Sequence, residues 1–86
     1  MNILVVDDEQ VIREGLSRTL EADAFSVDTA KNGHTAIEML QQKEYDLIIT
    51  DLKMPGMNGF EVLSAVKVLQ PEVPVTRKTQ VALDSV

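Results

Sequence analysis

The sequence contains no cysteine, only three aromatic residues and no long hydrophobic run. Without cysteine it can form neither a disulfide framework nor a thiolate zinc site, and it suits a reducing cytoplasm. No stretch approaches the roughly 20 apolar residues that a membrane span requires. The apolar run at the N-terminus is too short for a signal peptide and is followed by acids. We therefore expect a cytoplasmic protein with no membrane partner.

Basic residues are also scarce, since 8 lysines and arginines stand against 14 aspartates and glutamates, a net charge of −6. Affinity for nucleic acid comes mainly from cations that neutralise phosphates, so direct nucleic-acid binding is not expected. The charge favours a metal ion or a basic protein surface as the partner. With 86 residues, the chain forms one domain at most. A chain this short buries a limited share of its surface on folding, so we expect its stability to be marginal.

Three apolar segments predict strands, and each is followed by a segment with helical periodicity. The unbroken runs at 3–6 and 47–49 are typical of strands buried on both faces of a parallel sheet, whereas 25–30 alternates apolar and polar residues, as an edge strand does. Helices are predicted over about 10–21, 34–42 and 60–69. The order βαβαβα predicts an α/β fold with an open parallel sheet, right-handed crossovers and helices on both faces.

Acidic residues follow both of the predicted buried strands. Asp7 and Asp8 follow the first, and Asp51 follows the third strand in the chain. Open parallel sheets bind ligands beyond the carboxyl ends of their strands, so three carboxylates meet in one crevice if these strands are neighbours. Their repulsion calls for a cation, for which Mg²⁺ is suited, and an aspartate there can accept a phosphoryl group. Helix capping is the alternative role for Asp7 and Asp8.

Two segments resemble the response-regulator receiver domain, namely LVVDDE at 4–9 and TDLKMPGMNGFE at 50–61. The resemblance covers residues 1–75 and implies a doubly wound, flavodoxin-like fold, truncated here after about three βα units. It implies that a histidine kinase or a phosphotransfer protein phosphorylates Asp51, with Mg²⁺ as cofactor. It also implies that Asp8 binds the ion directly and Asp7 through water, and that Asp51 and the backbone carbonyl of Lys53 belong to the same metal site.

One class of enzyme offers an alternative to that resemblance. A receiver domain is a phosphoacceptor that can promote its own phosphorylation and dephosphorylation, and it is not a conventional enzyme. Phosphatases that form an aspartyl phosphate on a similar sheet carry a second acid two residues after the nucleophile. Lys53 occupies that position here, which argues against turnover by that route.

The tail, residues 76–86, departs from the pattern of the family. A receiver has a Ser or Thr at the end of its fourth strand and a Lys at the end of its fifth, and both contact the phosphoryl group. Thr76 and Thr79 are equal candidates for the first position, and Lys78 is a candidate for the second. The run from Thr76 to Lys78 is too polar for a buried strand. The alternative function is therefore a receiver remnant that binds a protein or a metal without signalling.

Truncation also has a consequence for packing. A fourth strand could begin at residues 73–75, but without a complete one the third strand would keep an unpaired edge. We therefore expect self-association by edge pairing or domain swapping, or complementation by another chain.

Overall fold

The computed structural model of the protein describes the backbone of residues 1–51 and 59–77, and the side chains of residues 1–51 and 61–75. Strands and helices alternate in these ranges: β1 (Asn2–Val6), α1 (Gln10–Ala22), β2 (Ser26–Ala30), α2 (Gly33–Gln42), β3 (Leu47–Thr50), α3 (Gly59–Leu69) and β4 (Val75–Arg77). Adjacent strands are parallel, and their order across the sheet is β2-β1-β3-β4. The predicted α/β fold with an open parallel sheet is confirmed.

The helices lie on both faces of the sheet. On one face, Leu16 and Leu20 of α1 pack against a small buried cluster of Ile3, Val5 and Ile49. On the other face, α2 and α3 cover a larger cluster, whose buried members are Leu4, Val6, Ala30, Ala36, Leu40, Tyr45, Ile48, Val62 and Val66. The central strands β1 and β3 are thus covered on both sides, which explains why their sequences are unbroken apolar runs.

The last strand corrects one expectation about the end of the chain. β3 was expected to keep an unpaired edge, but β4 pairs in parallel with its residues 48–50, so that expectation was wrong. The run from Thr76 was judged too polar for a buried strand, and β4 lies at the edge of the described sheet, where backbone groups make the pairing and polar residues are tolerated. Among the described residues, the unpaired outer edge on this side belongs to β4.

Residues 78–86 lie outside the described part of the chain, so the division into a domain at 1–75 and a tail at 76–86 stays a prediction. The longest helix of the described part, α1, has 13 residues. None of the described helices is long and apolar enough to cross a membrane.

Candidate functional site

The helices that follow β1 and β3 lie on opposite faces of the sheet. α1, which follows β1, packs on one face, and α3, which follows β3, packs on the other. Because β1 and β3 are neighbours, this arrangement is the one that favours a crevice beyond their carboxyl ends. Such a crevice is where open parallel sheets bind ligands, and it is the place that the sequence predicted for the acidic residues.

Backbone hydrogen bonds hold two of these acids to the sheet. The amide nitrogen of Asp7 donates to the carbonyl oxygen of Ala30 on β2 at 3.1 Å, and that of Asp51 donates to the carbonyl oxygen of Val6 on β1 at 3.0 Å. Each aspartate therefore extends the hydrogen bonding of its strand by one step, and its position is set by the sheet rather than by a loop.

The three predicted acids do meet at this crevice. Asp7, Asp8 and Asp51 each place one carboxylate oxygen within 4.8 Å of the others. Asp7 is buried, with 1% of its surface exposed, whereas Asp51 is half-buried and Asp8 is exposed. The site is therefore an acidic cluster with one buried carboxylate and two that solvent can reach.

The donor set and the spacing of the three carboxylates fit a magnesium ion. Oxygen ligands lie about 2.1 Å from Mg²⁺, so two ligands on opposite sides of the ion are about 4.2 Å apart. Carboxylate oxygens within 4.8 Å of one another can therefore surround one ion, some directly and others through water. Hard oxygen donors are also the type that this ion prefers.

The turn between β1 and α1 has two further hydrogen bonds. The Oδ1 of Asp7 accepts one from the backbone nitrogen of Glu9 at 2.9 Å, and the carbonyl oxygen of Asp7 accepts one from Nη1 of Arg13 at 2.7 Å. Sequence reasoning missed Arg13. The sequence offers only a general signal, because a cation near the start of a helix opposes the helix dipole but does not indicate which group it contacts.

The side chains of the other site residues predicted from the sequence are not described. Lys53, Lys78 and Thr79 lie outside the described residues. Thr76 forms the middle of β4, opposite Ile49 of β3, and only its backbone is described. Their roles at the site therefore stay predictions.

Comparison with known sequences gives a consistent result. A family model described as the response regulator receiver domain matches residues 3–84 of the chain. Response regulator RR06 of Streptococcus pneumoniae is 41% identical over 75 residues, which are 87% of this chain and 34% of that protein. The chain thus spans about a third of the length of this relative.

Comparison with solved structures agrees. Response regulator protein TrrA of Thermotoga maritima, in complex with Mg²⁺-BeF, matches with a TM-score of 0.81 and 39% identity over 86% of this chain and 64% of that one. TrrA in complex with histidine kinase ThkA matches with a TM-score of 0.82 and 38% identity, over 88% of this chain and 66% of the matched chain. Sequence and fold therefore point to the same family.

Proposed function

Because this chain belongs to the response regulator receiver family of two-component signalling, we propose that Asp51 is its phosphoacceptor. A histidine kinase or a phosphotransfer protein supplies the phosphoryl group. The observation that carries this proposal is the meeting of three carboxylates beyond the ends of β1 and β3. Helix capping alone would not require the three carboxylates to lie close together, whereas a shared ligand would.

The proposed reaction is a phosphoryl transfer to a carboxylate. An oxygen of Asp51 attacks the phosphorus of a phosphohistidine, so that a P–O bond forms while the P–N bond breaks. The imidazole leaves with the electron pair and takes up a proton. Asp51 suits this role because its backbone is held by β1 while its side chain is half-buried, and the donor can therefore approach from solvent.

We propose Mg²⁺ as the cofactor, with Asp8 and Asp51 as direct ligands and Asp7 acting through water. The backbone carbonyl of Lys53 is the further ligand in this proposal. A bound Mg²⁺ would offset the charge of the carboxylates and of the arriving phosphoryl group. The position of Asp7 beside the other two acids is fixed by its burial and by the hydrogen bond that Glu9 donates to its Oδ1. The Mg²⁺-BeF complex of TrrA supports the choice of ion.

The proposed partner is a histidine kinase, as in the complex of TrrA with ThkA. The chain acts in this proposal as a phosphoacceptor and not as a conventional enzyme. A cytoplasmic location is proposed because the sequence has no cysteine, which suits a reducing compartment.

Intact-mass measurement after incubation with Mg²⁺ and acetyl phosphate tests the proposal. The wild type is expected to gain the mass of one phosphoryl group, and Asp51→Asn is expected to gain none. Asp23→Asn is the matched control, because Asp23 is exposed and lies at the end of α1. A wild type that binds Mg²⁺ but forms no adduct would instead support a remnant that binds metal or protein without signalling.

Self-association is also proposed, now through the outer edge of β4. Support comes from the position of β4 at the edge of the described sheet, because an exposed edge offers backbone groups to another chain. Light scattering after size-exclusion chromatography tests it. A monomer at all micromolar concentrations would count against this proposal and leave the phosphoacceptor role untouched.

A further inference from the structure

Arg13 contacts both ends of the short turn that carries Asp7 and Asp8. Its Nη1 donates to the carbonyl oxygen of Asp7 at 2.7 Å, and its backbone nitrogen donates to the carbonyl oxygen of Glu9 at 3.0 Å. The side chain thus turns back from α1 to the end of β1, and one residue links strand, turn and helix.

The start of α1 also lacks the usual form of capping. The residue before the helix, Glu9, makes no side-chain capping hydrogen bond, although the side chain at this position commonly accepts one from the first turn. The Glu9 amide instead donates to Oδ1 of Asp7 at 2.9 Å. The geometry of the turn is therefore set by Asp7 and Arg13 rather than by a capping residue.

An arginine is chemically suited to this place. A hydrogen bond from a charged donor is shorter and stronger than one between neutral groups, and the planar guanidinium loses little freedom for each hydrogen bond it forms. Its charge also lies close to the turn that carries two of three mutually repelling carboxylates. Two effects on cation affinity oppose each other, since a firmly held turn strengthens binding and a nearby positive charge weakens it.

We infer that Arg13 is a positioning residue of the acidic site. It holds the turn between β1 and α1 so that the carboxylates of Asp7 and Asp8 stay directed at Asp51 before any ligand arrives. Groups that orient metal ligands typically contribute about 10- to 100-fold in metal affinity, which outweighs the repulsion from one partly solvated charge. The consequence for Mg²⁺ rests on the proposed function, whereas the positioning of the turn does not.

Amide hydrogen exchange, measured by NMR with all metal chelated, tests the positioning directly. Arg13→Ala is expected to speed exchange at the Glu9 amide while Leu16 and Leu20, farther along α1, keep their protection. Arg13→Gln keeps an N–H donor without the charge and is expected to restore protection in part. Arg18→Ala removes an exposed arginine from the same helix and is expected to change nothing at Glu9.

Two outcomes of the exchange measurement would overturn the inference. One is a Glu9 amide that exchanges equally in the wild type and in Arg13→Ala. The other is a uniform loss of protection along α1 in both Arg13→Ala and Arg13→Gln, which would mean that Arg13 only stabilises the helix.

Calorimetric titration with Mg²⁺ then separates this inference from the proposed function. Arg13→Ala is expected to bind at least about tenfold more weakly than the wild type, with Arg13→Gln between them and Arg18→Ala equal to the wild type. Tighter binding by both Arg13 variants would mean that charge repulsion dominates, and would overturn the inference. A wild type that binds no Mg²⁺ would overturn the proposed cofactor, while the exchange at Glu9 would still decide the role of Arg13.

Discussion

The Oε1 of Gln70 accepts a hydrogen bond from the backbone nitrogen of Tyr45 at 3.0 Å, between the end of α3 and the start of β3. The Nε2 of the same side chain donates to the carbonyl oxygens of Leu40 and Lys43, at 2.8 and 2.7 Å. These carbonyls belong to the C-terminal end of α2, whose last carbonyl groups have no partner within the helix. One buried side chain therefore joins α2, α3 and β3.

Replacement of Gln70 by alanine is expected to lower the free energy of unfolding by about 3 kcal/mol, because two buried backbone groups and a partly buried one would lose their partner. Urea denaturation measures this loss. Gln41→Ala is the matched control, since Gln41 is exposed on α2 and its replacement is expected to change stability by less than about 0.5 kcal/mol. Equal midpoints for Gln70→Ala and Gln41→Ala would mean that water replaces the Gln70 side chain without cost.

Tyr45 is expected to stay protonated in strongly alkaline solution while the fold persists. Burial of the phenol raises its pKa, and the hydrogen bond that its hydroxyl donates to Asp28 at 2.8 Å raises the pKa further. The folded state thus favours the protonated form. This contribution to stability is complete below the unfolded pKa of about 10 and declines as the pH rises above it.

Ultraviolet absorbance reports on this group without labels, because Tyr45 is the single tyrosine and the chain has no tryptophan. Phenolate absorbance is expected at clearly higher pH in the native protein than in concentrated urea. Asp28→Asn is expected to reduce the difference but not to remove it, since burial is the larger cause. The same midpoint in both solvents would contradict the burial of Tyr45.

Neutralising Asp8 is expected to stabilise the metal-free protein and to weaken its response to Mg²⁺. Asp8 is the exposed member of the three carboxylates that lie within 4.8 Å of one another, and like charges at such distances repel by about 1 kcal/mol when water surrounds them. Asp8→Asn should therefore raise the free energy of unfolding in a chelating buffer by up to about 1 kcal/mol.

Thermal melts with and without Mg²⁺ check both effects. The ion is expected to raise the melting temperature of the wild type and of Asp23→Asn, and to raise that of Asp8→Asn much less. A metal-free Asp8→Asn protein that melts below the wild type would mean that repulsion among these acids is not a cost to the fold.

Gly15 is expected to be a site where alanine stabilises the protein. It lies in the interior of α1, and a Cβ atom added there meets nothing within 4 Å. Glycine inside a helix is less favourable than alanine by about 0.5 to 1 kcal/mol, because its backbone loses more freedom on folding. Gly15→Ala should raise the urea midpoint with an unchanged slope, and a lowered midpoint would indicate a contact that the free space does not suggest.

The order of the elements could be predicted from the sequence because a strand buried on both faces forms an unbroken run of apolar residues. The apolar runs at 3–6 and 47–49 correspond to β1 (Asn2–Val6) and β3 (Leu47–Thr50), since a central parallel strand needs apolar residues at every position. The location of Asp7, Asp8 and Asp51 was readable for a related reason. An acid directly after such a strand must lie at its carboxyl end, and parallel strands bring those ends to one side of the sheet.

The contacts of Arg13 and Gln70 were not readable in this way. Both side chains bind backbone groups. Because every residue has a backbone carbonyl oxygen, the sequence does not indicate which one accepts the hydrogen bond. Gln70 also reaches Leu40 and Lys43 from far along the chain, 30 and 27 residues away. Only the packing of α3 beside α2 brings these groups together.

The sequence by itself thus determined the first three strands, the three helices and the three acids at the ends of β1 and β3. It did so because burial and strand direction restrict which residue types can stand at those positions. The tertiary structure alone decided that the polar residues Thr76 and Arg77 complete the sheet and that Arg13 holds the turn beside the acids. The pairing of β4 depends on backbone hydrogen bonds to a distant strand, and the Arg13 contact depends on a backbone carbonyl that every residue possesses. The periodicity of the side chains therefore predicts neither feature.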